Sequence, residues 1–124
     1  MSNIQYSLSV NVNKAPFSLT LSSGNVTAVQ NTAGLLAQTL ILSTTTSAVS
    51  TASASALGFA FLRNIATATA STATVSFGRV SGTTLFDSVT LRPGEVSFLR
   101  LSPGNYAARA AVAGLPLLVQ ILED

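Results

Sequence analysis

Residues 91–106 read LRPGEVSFLRLSPGNY and carry one short phrase twice, Leu91-Arg92-Pro93-Gly94-Glu95 and Leu101-Ser102-Pro103-Gly104-Asn105. Proline fixes φ near the value wanted at the second position of a β-turn, and glycine supplies the positive φ of the third. Pro93-Gly94 and Pro103-Gly104 are therefore expected to sit at the centres of two type II turns. Between them, Val96-Ser97-Phe98-Leu99-Arg100 is a β-branched and aromatic run of ordinary strand length. The order strand, turn, strand, turn, strand predicts an antiparallel meander, with the rest of the chain laid against it.

Downstream, residues 106–112 set Tyr106, Ala108, Ala110 and Val112 against Ala107, Arg109 and Ala111, and Gly114-Leu115-Pro116 breaks the run. Residues 117–122 (LLVQIL) are apolar on both faces, which suits the middle of a sheet or an interface. Upstream, residues 4–12 alternate with Ile4, Tyr6, Leu8, Val10 and Val12 on one side, a period of two that marks a half-buried strand. Asn13-Lys14-Ala15-Pro16 ends it, residues 17–21 alternate again, and Ser22-Ser23-Gly24-Asn25 is a turn cluster before a weaker run at 26–29.

Residues 35–43 fit either a helical face or a strand; the strand is favoured because Thr44-Thr45-Thr46 follows and no N-cap precedes. Residues 43–56 are nearly all Ser, Thr and Ala, and read as a long surface loop in preference to an extended arm. Residues 57–62 (LGFAFL) are a strand with little polarity on either face and are expected to be central, with Arg63-Asn64 ending it. After the small residues of 66–74, Val75-Ser76-Phe77 resumes strand character, 78–82 is expected to turn, and 83–91 leads back to the opening stretch. No 3.6-residue apolar period is sustained with caps at both ends. The prediction is one all-β domain over residues 1–124, an antiparallel β-sandwich or jelly-roll-like barrel of about eight short strands with no helix longer than two turns.

Of the 124 residues, 48% are hydrophobic and only 8% charged, about a third of the usual charged fraction. Either a hydroxyl-rich surface keeps the chain in solution, or much of that surface is covered by copies of itself or by another protein. The second is favoured, because interface cores are poor in charge and rich in arginine over lysine, and Lys14 is the one lysine beside Arg63, Arg79, Arg92, Arg100 and Arg109. A net charge of +2 with singly scattered basic residues does not point to nucleic acid. Residues 1–6 lack the pattern of a secretory signal, and the apolar stretch 110–122 is too short to span a bilayer, so no membrane is expected.

Candidate chemistry is sparse. With no histidine and no cysteine, imidazole bases, Ser-His pairs, disulfides and thiolate metal sites are excluded. Asp87 and Glu95 could face one another across a hairpin as an acid pair, which glycoside hydrolysis would need; a turn or solvent role suits both better. Glu123-Asp124 reads as a solvated tail in preference to a cation site. Phe98 and Tyr106 read as core. No catalytic, cofactor-binding or metal residues are predicted, and the chain is expected not to be an enzyme.

From Phe61-Leu62-Arg63-Asn64 through Val75-Ser76-Phe77-Gly78 to residues 91–101 (LRPGEVSFLRL), Pro103-Gly104, Tyr106-Ala107-Ala108-Arg109-Ala110 and the final LLVQILED, about half of the chain resembles a group of small structural proteins of tailed-bacteriophage virions. The resemblance implies a non-enzymatic virion component, foremost a capsid decoration (cement) protein. Such a protein is assembled in the host cytoplasm, sits on the capsid exterior and associates as a homotrimer with itself and with the major capsid protein. A tail, fibre or baseplate component is the nearest alternative, and a glycan-binding β-sandwich the next. Self-association is expected independently, because residues 57–62 and 117–122 offer apolar side chains to both faces while a sandwich buries only one. Arg63, Arg100 and Arg109 are the candidate rim of that contact, since guanidinium bonds several carbonyls while half desolvated.

Overall fold

The computed structural model describes residues 2–31, 34–51, 56–67 and 72–124. Along the chain run β1 (Ser2–Tyr6), β2 (Ser9–Lys14), β3 (Phe17–Ser22), β4 (Val26–Gln30), β5 (Leu35–Leu42), β6 (Ser47–Val49), β7 (Leu57–Asn64), β8 (Val75–Ser81), β9 (Thr84–Leu91), β10 (Val96–Arg100), β11 (Tyr106–Ala110) and β12 (Leu115–Glu123). All pairings are antiparallel. Two four-stranded sheets, ordered β10-β7-β12-β5 and β6-β11-β8-β9, close on one core in which Leu62, Leu117 and Ile121 meet Val75, Phe77 and Ala108. The fold is all-β, as the alternation predicts, and the described residues contain no helix. The described residues form twelve strands in place of about eight: a two-residue break divides the 4–12 run, and β6 adds a short strand inside the Ser/Thr/Ala segment. That segment's residues 52–55, and 68–71 of the small-residue run, lie outside the described residues.

The two strands with apolar residues on both faces are central. β12 lies between β7 and β5, with Val119 opposite Leu62 on one side and Gln38 on the other. Leu115, Leu117, Val119 and Ile121 point into the core; Pro116, Leu118, Gln120 and Leu122 line the outer face and are half-buried. Such two-sided patterning leaves no register in which β12 has a polar face to give to water.

The stretch that reads as a meander crosses the core instead. β9 and β11 belong to one sheet and β10 to the other, so each Pro-Gly carries the chain between sheets. The reason lies in β7. Gly94 N–H donates to the Asn64 carbonyl (2.7 Å) and Asn64 N–H to the Glu95 carbonyl (3.1 Å), and β10 then pairs with β7 from Val96↔Arg63 to Arg100↔Phe59. Leu91 and Leu101, which open the two phrases, are both buried and fill the core at each crossing.

At the first crossing the turn is as expected. Gly94 has φ 83°, and Glu95 N–H closes the turn on the Arg92 carbonyl at 3.0 Å. The Glu95 carboxylate accepts from Arg92 N–H at 2.7 Å. At the second, Gly104 has φ 150° and Pro103-Gly104 is an open bend. Nothing stands within 4 Å of a Cβ added at Gly94, so Gly94→Val is expected to cost about 1–3 kcal/mol through backbone strain alone. Urea unfolding measures this; an unchanged midpoint contradicts the turn.

Asn64 ties these pieces together. Fully buried at the end of β7, its Nδ2 donates to the carbonyls of Ala73 and Leu91, both at 3.1 Å. Its Oδ1 accepts from Ala66 N–H at 3.1 Å. One residue thus joins β7, the approach to β8 and the end of β9 through its side-chain amide, and the Pro93-Gly94 turn through its backbone, with every polar atom satisfied.

The expected turn at 78–82 is displaced. β8 continues through Ser81, and the chain reverses at Gly82, whose φ is 59°. Gly78 serves a different purpose. The β8–β9 register slips between Phe77 and Gly78, leaving Ser88 unpaired as a bulge, and the Phe86 carbonyl comes so close to Gly78 that no Cβ fits.

Candidate interaction surface

The N-terminal strands stand apart from both sheets. Among the described residues β1 pairs only with β4 and β2 only with β3, and the two ladders run on as a single ribbon, with Ser23 N–H donating to the Leu8 carbonyl (2.9 Å) between them. Two residues, Ser7 and Leu8, face three, Ser23, Gly24 and Asn25. That extra residue shifts the apolar set on the return strand from odd positions (Phe17, Leu19, Leu21) to even ones (Val26, Ala28), which keeps it on the side of Tyr6, Val10 and Val12.

At the root of the ribbon this apolar side is covered. The Tyr6 ring lies 5.5 Å from Phe59 and 4.9 Å from Phe98, and those two rings stack at 4.9 Å. All of this sits on the outer face of the β10-β7-β12-β5 sheet. Part of the cover expected from a neighbouring copy is thus supplied by the chain's own β1. Phe98 belongs to this outer cluster and not to the sandwich core, whereas Tyr106 is buried in the core as expected, stacked on Phe77 with its hydroxyl donating to the Ser102 carbonyl (2.6 Å).

Beyond the root the apolar side is bare. Val10 pairs with Leu21 and Val12 with Leu19, yet Val10 is 50% exposed, Leu21 53% and Phe17 56%. The opposite side carries only Ser, Asn and Thr. On the outer sheet face, the half toward β5 is bare as well: Ile41 is 70% exposed and Leu35 56%, beside half-buried Leu118 and Phe61.

The three candidate arginines do not form one rim. Arg63 and Arg100 share the outer face of β7 and β10, where Arg63 is opposite Val96 and Leu118. The Arg100 guanidinium lies 4.4 Å above the Phe59 ring and bonds Asp124 at 3.3 Å. Arg109 lies on the outer face of the other sheet, bonded to Asp87 at 3.0 Å. Both ion pairs are exposed and contribute little to stability. Asp87 and Glu95 are each engaged separately, by Arg109 and by the Arg92 backbone.

An open cleft of about 700 Å³ lies where Leu57 and Arg100 to Gly104 meet Asp124. Its charged groups are already paired with each other. Among the described residues, the feature that stands out is therefore apolar surface: a bare ribbon and a half-bare sheet. What fold and surface define together is a charge-poor β-sandwich carrying an amphipathic ribbon. Compared with protein-family models, with curated proteins and with solved structures, the chain matches none.

Proposed function

We propose that this chain is a non-enzymatic structural protein that works by covering protein surface, in the setting its sequence resemblance implies: a tailed-phage virion, where it decorates and stabilises the assembled capsid as a homotrimer. The observation that carries the reading is the bare apolar side of β2–β3 together with the bare half of the outer sheet face, on a chain with too few charges to hold that much oily surface in water by itself. The mechanism is mechanical. Copies associate, sit over junctions between major capsid subunits, and bury area that must be re-exposed before the shell opens. Many equivalent contacts on one shell add up without any single one being tight.

Imaging and a protein census of particles made with and without the gene test this. A copy number that scales with the whole shell, and particles that burst more readily without the protein, are the expected results. A few copies at the tail would transfer the protein to the tail or baseplate. Absence from the particle, together with binding on a glycan array, would replace the reading by a sugar-binding module.

A further inference from the structure

We infer that the apolar side of the β2–β3 ribbon docks on the outer face of the β10-β7-β12-β5 sheet of a second copy of this chain, so that each copy gives a ribbon and receives one. This rests on the self-association in the reading above and names the surfaces that perform it.

Three observations lead there. A two-stranded ribbon alone is marginally stable in water, and β2–β3 pairs with no other strand, yet one of its sides is wholly apolar down to Lys14 at the tip. What that side packs against is visible at the ribbon's own root, where Tyr6 rests on Phe59 and Phe98 of the outer sheet face. The one-residue bulge at 23–25 holds the same side of the ribbon in line beyond that point. Finally, the sheet's other half leaves Ile41 and Leu35 bare, with Leu118 and Phe61 between β5 and β10.

The ribbon and the bare half-sheet are thus a matched pair on one chain, both nearly free of charge. An acidic or nucleic-acid partner would find no basic stripe here. The bare side chains of the ribbon carry roughly 400 Å² of apolar surface, judged from the area a ring or a branched side chain buries. Matched by the sheet, one such contact buries roughly 800 Å² over its two surfaces, and a reciprocal pair between two copies exceeds the ~1,000 Å² expected of a specific interface. Giver and receiver are different surfaces, so a two-fold axis uses the contact twice in a reciprocal dimer, while any other rotation that closes gives a ring.

Sedimentation velocity of the full chain at micromolar concentration, with Leu19→Ser plus Leu21→Ser as the variant, tests the inference. Both residues lie on a ribbon that the sandwich does not use, so an unchanged far-UV circular dichroism spectrum serves as the folding control. The wild type is expected to be oligomeric, and the variant to be monomeric with association weakened on the order of 100-fold or more. A second measurement does not depend on that variant. The chain has no cysteine, so Leu19→Cys chains mixed with Ile41→Cys chains should form a disulfide-linked heterodimer on oxidation. Leu19→Cys mixed with Ser76→Cys, on the far sheet, should not. A variant as oligomeric as the wild type, without the mixed disulfide, overturns the ribbon contact and leaves self-association standing. A monomeric wild type overturns both. Flotation of the wild type with neutral phospholipid vesicles, lost in the variant, would overturn the contact in favour of a lipid surface.

Discussion

Asn64→Leu is expected to lower the free energy of unfolding by about 4 kcal/mol, the largest effect of any single side chain outside the aliphatic core. Leucine has the same branching and number of side-chain heavy atoms as asparagine and is the bulkier of the two, so the cost is not a cavity. It comes from the carbonyls of Ala73 and Leu91 and the N–H of Ala66, which lose their partners in a place that water does not reach. Each orphaned group costs about 1–3 kcal/mol. Set against the ~5–15 kcal/mol that holds a typical domain folded, the variant is left with little margin. Urea unfolding followed by far-UV circular dichroism reads the difference. A loss below about 1 kcal/mol would mean that the three groups find other partners, and that the hub is not one.

Gly78→Ala comes next, at on the order of 3 kcal/mol. The φ of Gly78 is not in the left-handed region, so backbone strain is not the cause; space is. An added methyl meets the Phe86 carbonyl and the Ser88 nitrogen, both main-chain atoms of β9 that cannot swing aside as a side chain does. The β8–β9 ladder has to part beside the bulge. Hydrogen exchange should then show protection lost across β9 (Thr84–Leu91) before it is lost in β7 or β12, and retention of that protection would contradict the close approach.

Much of the architecture is legible in the order of residues, where burial leaves no choice. Leu117, Val119 and Ile121 alternate with Leu118, Gln120 and Leu122, so β12 has no polar side and had to be central; β7 follows the same logic. Pro93-Gly94 specifies the shape of a turn, but not which strand lies on its far side. That is decided by Asn64, thirty positions upstream, through bonds that no local pattern announces. Gly78 reads as a turn residue because glycine for a tight reversal and glycine for close approach are the same letter. The ribbon's signal was present in the switch from odd to even apolar positions around Gly24. Read strand by strand, those runs look like two ordinary half-buried strands, since alternation reports that a side is oily and not whether anything covers it. Arg63, Arg100 and Arg109 show the same limit: their residue type suits an interface, while their placement on two opposite sheets depends on pairings between strands far apart in sequence.

The central position of β12 also bears on how the molecule is made. β5 and β7 both precede β12 in the chain and do not pair with each other; each pairs with a different edge of β12. Until β12 has docked, the first sheet is two separate pieces with the apolar flanks of Leu62 and Leu40 unpaired. Closing it requires contacts spanning most of the chain, the slowest kind to form. The β8–β9, β8–β11 and β7–β10 pairings do not need β12, so the docking of β12 between β5 and β7 is the step that completes the core, and the apolar flanks it covers are what chaperone capture and productive folding compete for.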